Sequence, residues 1–346
     1  MKKDVIVFLL TEVHNYHISL FKEIIITYNY PLVIIYKDQN NKTPYKPPSI
    51  EGITFKGRSE FSEYLNFKSF INSLSVKLVR TSGWVDKDYL KISKFLKGKG
   101  VATVVVSDTQ WKNTLKQTVG AFLYGWYIRS CFTKMMVAGP YQFEYARKLG
   151  FSKKDILFSN LSADTSVYGN LEIKTTFEKT ILYVGNLEKT KGTHFLLDAW
   201  SSISNKKEWK LELIGNGSLF ESKISDDIHY LGYLNNKEIS KSMRNAAFFV
   251  LPSKSEQWGV VMHEATLSGL PILCSDEVGS IPLFLIKEYN GFTFATGNID
   301  HLKQQLEKII NLTNKEIFLM KENSLSLGSR ITTPISAASL MAAIEK

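Results

Sequence analysis

Residues 250–280 read VLPSKSEQWGVVMHEATLSGLPILCSDEVGS. The residue types run apolar stretch, polar loop, helical stretch, Ser-Gly turn, second apolar stretch, glycine loop. Short apolar runs bounded by turn residues and separated by a helix describe parallel strands of a doubly wound α/β sheet. Within this stretch Glu256 and Glu264 stand eight positions apart at the helix entrance, beside the turn Trp258–Gly259. A carboxylate accepts hydrogen bonds from two neighbouring hydroxyls, and its charge makes them strong. The pair therefore suits a hydroxyl-rich ligand, such as a ribose and a second sugar. Compensation of helix N-terminal charge, typically ~0.3–1 kcal/mol, accounts for Glu256 alone. Glu264 lies deeper, among Val260, Val261, Ala265 and Leu267, where a buried acid without a partner is unfavourable.

Upstream, Tyr183–Gly192 reads YVGNLEKTKG. A strand ends at Gly185, a loop follows, and a helix begins near Gly192. Free N–H groups at a helix start and a nearby lysine make an anion site, with Lys191 on a phosphate. The pattern is not a P-loop, because GxxxxGK[ST] is absent. At Leu213–Gly217, LIGNG, two glycines flank Asn216, which fits either a tight turn or close backbone approach to a ligand.

The same alternation extends in both directions. Strands are expected at Thr180–Val184, Trp209–Ile214, Ile228–Leu231, Ala247–Leu251 and Pro271–Cys274. In the first half they are expected at Val5–Leu10, Leu32–Tyr36, Val76–Arg80, Val101–Val106 and Lys134–Ala138. Residues 37–63, with Pro44, Pro47 and Pro48, form a polar excursion that reads as a binding loop or as disorder. The expected architecture is two Rossmann-like doubly wound domains, 1–165 and 166–325, facing across a cleft. Asn160–Tyr168 serves as hinge, and a helix in 326–346 returns to the first domain. Ligands bind such sheets at the carboxyl ends of the strands.

A length of 346 residues favours two domains, and 44% hydrophobic residues is ordinary for a globular chain. Two distant cysteines, Cys131 and Cys274, argue against a disulfide framework and for a reducing, cytoplasmic setting. The apolar run Val5–Leu10 is too short for a signal peptide and reads as a first buried strand. No stretch has the length and apolarity of a membrane span. Charge is lopsided: residues 1–165 carry 24 Lys and Arg against 13 Asp and Glu, and the remainder 19 against 20. Either this is solvated charge or it attracts an anionic surface such as the inner face of a cell membrane. No nucleic-acid-binding module is present.

Two further segments admit competing readings. Asp86-Lys87-Asp88 spells the D-x-D of metal-dependent sugar transfer, but its place before a helical pattern favours helix capping, and no metal is expected. Thr114–Val137, TLKQTVGAFLYGWYIRSCFTKMMV, interleaves aromatic and basic residues. It reads as one or two core helices or as an interfacial surface for a lipid-linked acceptor, with the basic first half favouring the latter.

Taken in order, these stretches resemble the C-terminal domain of retaining glycosyltransferases of family 4, which have the GT-B fold. The resemblance covers residues 180–310 and rests on E-x(7)-E, the preceding Pro252-Ser253, Glu264-Ala265, and Ser275-Asp276 with Val278-Gly279. Weaker similarity lies in TEVHNYHISLF (11–21), VSDTQW (106–111) and VAGPYQFEYARKLGF (137–151). The resemblance implies a metal-independent, cofactor-free transfer from a UDP- or GDP-sugar to a saccharide or lipid-linked acceptor in bacterial surface polysaccharide synthesis. Glu264 would hold the ribose hydroxyls, Glu256 the donor sugar near its anomeric carbon, and Lys191 the departing diphosphate. Trp258, Gly259 and Val260, with Val278–Ser280, would line the donor pocket alongside Gly185. Gly215, Gly217, Tyr233 and Leu234 would lie near the base. The chain departs from the family where Asn186 replaces a phosphate-clamping arginine, leaving Lys189 or Lys254 to substitute. Ser107 replaces a histidine before Asp108, whose partner would be acceptor or donor sugar. Thr11–His17 replaces a glycine loop, so that His14, His17 and Trp111 are acceptor or diphosphate candidates. The competing readings are a catalytically impaired saccharide-binding relative, a sugar-nucleotide epimerase or glycogen-type phosphorylase, and a nicotinamide dehydrogenase, which lacks its GxGxxG here.

Overall fold

The computed structural model describes residues 3–38, 47–169, 176–219 and 225–344. They divide into two compact units, Met1–Ser162 with Thr333–Lys346, and Ala163–Thr332.

In unit 1 the strands are β1 (Asp4–Leu10), β2 (Leu32–Tyr36), β3 (Ile53–Gly57), β4 (Ser75–Ser82), β5 (Ala102–Ser107), β6 (Lys134–Val137) and β7 (Ile156–Leu157). They form one parallel sheet in the order β3-β2-β1-β4-β5-β6-β7. Helices α1 (Asn15–Tyr28), α2 (Tyr64–Asn72), α3 (Lys87–Gly98), α4 (Leu115–Cys131) and α5 (Pro140–Lys148) connect them. Ile6, Phe8 and Leu78 face one side of the sheet, and Val7, Leu9 and Val79 the other, so successive residues alternate between two buried layers.

Unit 2 starts with the short helix α6 (Thr165–Tyr168). Its strands are β8 (Thr180–Val184), β9 (Lys210–Ile214), β10 (Ile228–Gly232), β11 (Phe248–Leu251), β12 (Ile272–Ser275) and β13 (Gly291–Phe294), all parallel, in the order β10-β9-β8-β11-β12-β13. Its helices are α7 (Thr193–Ser201), α8 (Asn236–Asn245), α9 (Val260–Leu267), α10 (Ile281–Phe284), α11 (Ile299–Ile310) and α12 (Asn314–Gly328). The last helix, α13 (Thr333–Met341), packs on α1, and Ala337, Leu340 and Met341 enter the core of unit 1.

Several expectations shift. Unit 2 begins at Ala163 rather than 166, because the Ala163 N–H donates to Nδ1 of buried His263 at 2.9 Å. It ends at Thr332 rather than 325. The excursion 37–63 contains β3, an edge strand only partly buried and therefore mixed in composition. Of its prolines, Pro44 lies outside the described residues. Strands β7 and β13 were not anticipated; they have two and four residues and lie at sheet edges. Among the described residues, no helix is long and apolar enough to cross a membrane.

Candidate functional site

In unit 2 the loops leaving the carboxyl ends of β8 and β11 converge. The loop after β8 closes in a one-turn 3-10 helix, Lys189–Lys191, capped by Gly192 with φ 71°. A side chain at Gly192 would be strained at that φ, and its Cβ would overlap the Pro252 carbonyl. This close approach brings Lys191 to the loop after β11, where its Nζ lies 2.8 Å from Glu256 Oε2. The Ser253 hydroxyl donates to the same oxygen at 3.4 Å. Glu256 is further fixed through its backbone, which bridges to Val278 and accepts from the Gly279 N–H at 2.9 Å. The structure thus brings Lys191, Glu256 and Val278–Ser280 together.

Glu264 sits in α9 and is partly buried. No ion pair to its carboxylate forms among the described residues, and burial, with a smaller contribution from Asp164, raises its pKa to about 7. The phenol of Tyr168 is close enough to feel its charge. Gly215 sits where a Cβ would overlap the Gly185 carbonyl, so the ends of β8 and β9 touch backbone to backbone. Asn186 is exposed, and its carbonyl accepts from the Tyr183 hydroxyl at 2.8 Å. Burial, then Lys254, lowers the pKa of His194, and Lys189 adds to this. Both substitute lysines therefore lie near the start of α7, and Lys254 covers the Phe195 ring at 4.7 Å. Tyr233 is exposed and Leu234 half-buried just beyond β10. The Trp258 indole is buried edge-on against Phe284 at 5.9 Å, while Gly259 and Val260 are partly exposed.

In unit 1 a cavity of about 450 Å³ opens at the carboxyl ends of β1, β4 and β5. His14, Asp108 and Arg80 line it. His14 is exposed, its Nε2 3.6 Å from Glu12, while partial burial lowers its pKa. His17 also lines the cavity but is buried, and its Nδ1 accepts from the His14 N–H at 3.1 Å, closing the first turn of α1. Burial, then the charge of Arg80, holds its pKa well below normal. Trp111 is not among the cavity-lining residues; it stacks on Tyr145 at 6.0 Å with Lys148 over its ring. Sequence reasoning missed Arg80. In sequence it is one of two cations in β4, SVKLVRTS, and nothing local separates it from Lys77, which is exposed. The Asp-Lys-Asp stretch does cap: Asp86 accepts from the N–H groups of Asp88 and Tyr89 and pairs with Lys37 at 3.0 Å, and Asp88 pairs with Arg58.

Thr114–Val137 forms the single long helix α4 followed by β6, and the core-helix reading fails on one face. Leu115, Val119, Phe122, Leu123 and Trp126 follow i, i+4, i+7, i+8, i+11 and are all exposed, Phe122 at 85% and Trp126 at 69%. Ala121, Gly125 and Ile128 occupy the buried face.

Residues 172–323 match the family described as Glycosyl transferases group 1. It is 29% identical over 160 residues to an uncharacterized glycosyltransferase of Haemophilus influenzae, covering 44% of each chain. It is 28% identical over 174 residues to the capsular polysaccharide biosynthesis glycosyltransferase CapM of Staphylococcus aureus, covering 47% of this chain and 45% of CapM. The chain thus matches less than half the length of either relative. Alr3699/HepE of Anabaena, solved in complex with UDP, superposes with a TM-score of 0.72 over 97% of both chains at 12% identity. The fold class is that of the GT-B glycosyltransferases, built from two Rossmann-like units.

Proposed function

We propose that the protein is a metal-independent retaining glycosyltransferase of family 4 that uses a nucleotide-sugar donor. The observation that carries this reading is the Lys191–Glu256 contact of 2.8 Å at the start of α7, with Glu264 one helix away. A lone surface ion pair contributes little to stability. A cation and an acid held by two loops and an obligatory glycine suit ligand exchange instead.

Unit 2 takes the donor. Glu264 accepts the ribose hydroxyls, and the backbone of Gly185, Gly215 and Gly217 admits the nucleotide closely. The diphosphate displaces Glu256 from Lys191 and lies against the N-terminus of α7. Glu256, released, faces the hydroxyls of the donor sugar. The bond from the anomeric carbon to the phosphate oxygen breaks, and the new charge falls on Lys191 and the fixed helix dipole. An acceptor hydroxyl forms the new bond on the same face and passes its proton to the departing phosphate oxygen. Asp108 and His14, in unit 1, hold the acceptor.

The acceptor is a saccharide, free or lipid-linked, of a bacterial surface polysaccharide, in keeping with the capsular role in the name of CapM. The exposed stripe on α4 docks on an anionic membrane surface at the cytoplasmic face. Charge complementarity supports that occupant: Lys116 and Arg129 lie on the helix, Lys94 covers Tyr127 at 5.8 Å, and the positive excess is confined to the first half of the sequence.

The test is calorimetric titration with UDP, GDP, ADP and CMP and their sugars, followed by turnover with polysaccharide precursors. Submicromolar to micromolar binding of one nucleoside diphosphate, with acceptor-dependent release of that diphosphate, is expected. Loss of neither binding in Lys191→Ala nor turnover in Glu256→Gln would sink the assignment.

A further inference from the structure

Among the described residues Arg80 is the most deeply buried cation of unit 1, with 1% of its surface exposed. One guanidinium nitrogen donates to Asn160 Oδ1 at 2.8 Å. The other two, Nε and Nη1, have no hydrogen-bond partner among the described residues. No ion pair to Arg80 forms among the described residues. The Phe8 ring lies 5.4 Å from the guanidinium carbon and offers only a weak cation–π contact. The Tyr16 phenol acts on it electrostatically but cannot serve as counter-ion, since burial pushes its pKa up to about 12. Desolvating a cation without an anion is strongly unfavourable, and buried charges in proteins are paired or serve a ligand.

Arg80 does not stand in a closed core. It lines the cavity of about 450 Å³ at the carboxyl ends of β1, β4 and β5, which is within the ~300–1,000 Å³ of small-molecule sites. The same wall carries Ser82, Ser107 and Thr109, whose hydroxyls match a polyol, and Trp84, whose ring matches a sugar face. Glu12 and Asp108 line the cavity from exposed positions, so an anionic ligand is admitted only where it reaches past them to the guanidinium.

We infer that this cavity binds a saccharide bearing an oxyanion, a carboxylate or a phosphate, which takes one of the two unpartnered nitrogens of Arg80. Nε and Nη1 lie on different edges of the planar guanidinium, so the oxyanion accepts a charge-assisted hydrogen bond from one of them. The inference rests on the glycosyltransferase reading for its meaning, an anionic sugar as acceptor, but the binding event is independent of it.

The experiment titrates the full chain with methyl β-D-glucuronide, glucose 6-phosphate, methyl β-D-glucoside and inorganic phosphate, following the Arg80 Nε–H resonance by NMR. One anionic sugar binds at least tenfold more tightly than the neutral glucoside and shifts the Arg80 signal; the glucuronide and the sugar phosphate distinguish the two oxyanions. Arg80→Met abolishes the discrimination, and Arg80→Lys keeps part of it. Equal binding of neutral and anionic sugars, an Arg80 resonance that no anionic sugar moves, or phosphate alone binding as well as its sugar ester overturns the inference. The wild-type resonance decides the matter even where Arg80→Met does not fold. Nucleoside diphosphate titrated into the same samples separates the outcomes: anion discrimination lost with diphosphate binding intact defeats this inference alone, and diphosphate binding absent from the wild type defeats the donor reading alone.

Discussion

Lys191 Nζ and Glu256 Oε2 stand 2.8 Å apart, so in the proposed reading each occupies the place of what the other would bind. Removing the acid releases the cation. Glu256→Gln should lower turnover by two orders of magnitude or more while nucleoside diphosphate binds as tightly as before or more tightly; calorimetry beside a turnover assay measures both. Lys191→Ala should weaken the diphosphate by roughly 10–100-fold, the equivalent of one charged hydrogen bond of about 1.5–3 kcal/mol. Glu264 gives a pH signature. Its folded pKa, about 7, lies above its unfolded value, so ionisation above pH 7 destabilises the fold, and stability falls as pH rises from the unfolded pKa through 7. Glu264→Gln should therefore raise the melting temperature relative to wild type at pH 8 and scarcely at pH 5. In the proposed donor site ribose hydroxyls would donate to the charged carboxylate, so nucleotide affinity should rise from pH 6 to pH 8 in the wild type and stay flat in Glu264→Gln. A melting difference of the same size at both pH values would refute the burial argument.

At the scale of elements, the decisive features are loops at strand ends and one helix. The loops after β8 and β11 converge because Gly192 leaves no room for a side chain against the Pro252 carbonyl. Helix α4 buries Ala121, Gly125 and Ile128 and leaves an apolar stripe outside. Exposed contiguous apolar surface of this kind marks an interaction site. The protein should sediment with vesicles containing phosphatidylglycerol, less so at high salt, and poorly with phosphatidylcholine alone. Phe122→Ser with Trp126→Ser should abolish the vesicle binding while leaving nucleotide binding unchanged. Equal sedimentation of this variant and the wild type would remove the stripe from consideration, and loss of a dimer on substitution would reassign it to a second copy.

For the molecule as a whole, the chain leaves unit 1 after Ser162 and returns to it at Thr333. Leu340 is fully buried in the core of unit 1 although it lies near the end of the sequence. Leu340→Ala should cost about 2–5 kcal/mol of unit 1 stability, read as a lowered melting transition, with nucleoside diphosphate binding by unit 2 retained. Much of this organisation was legible. Ten of the strands lie where apolar runs and turn residues placed them, because both faces of a parallel sheet are buried and its strands are continuously apolar. Edge strands β3, β7 and β13 were not, because an edge needs neither that length nor that apolarity. In the site, Glu256, Glu264, Lys191 and the glycines were legible from local spacing, since all lie within short strand–loop–helix stretches. Arg80 was not, nor was the burial of His17 and of the Trp258 indole, because whether a polar or aromatic side chain is buried depends on elements distant in sequence.

The sequence by itself determined the two doubly wound units and the residues of the candidate donor site, since periodicity, turn glycines and helix starts are local properties of the chain. Only the tertiary structure decided that Lys191 meets Glu256 across 65 positions, that burial raises the pKa of Glu264, and that the guanidinium of Arg80 is buried beside a cavity. Those facts depend on which loops pack together and which charges lose their water, and neither is encoded in the spacing of residues along one strand or helix.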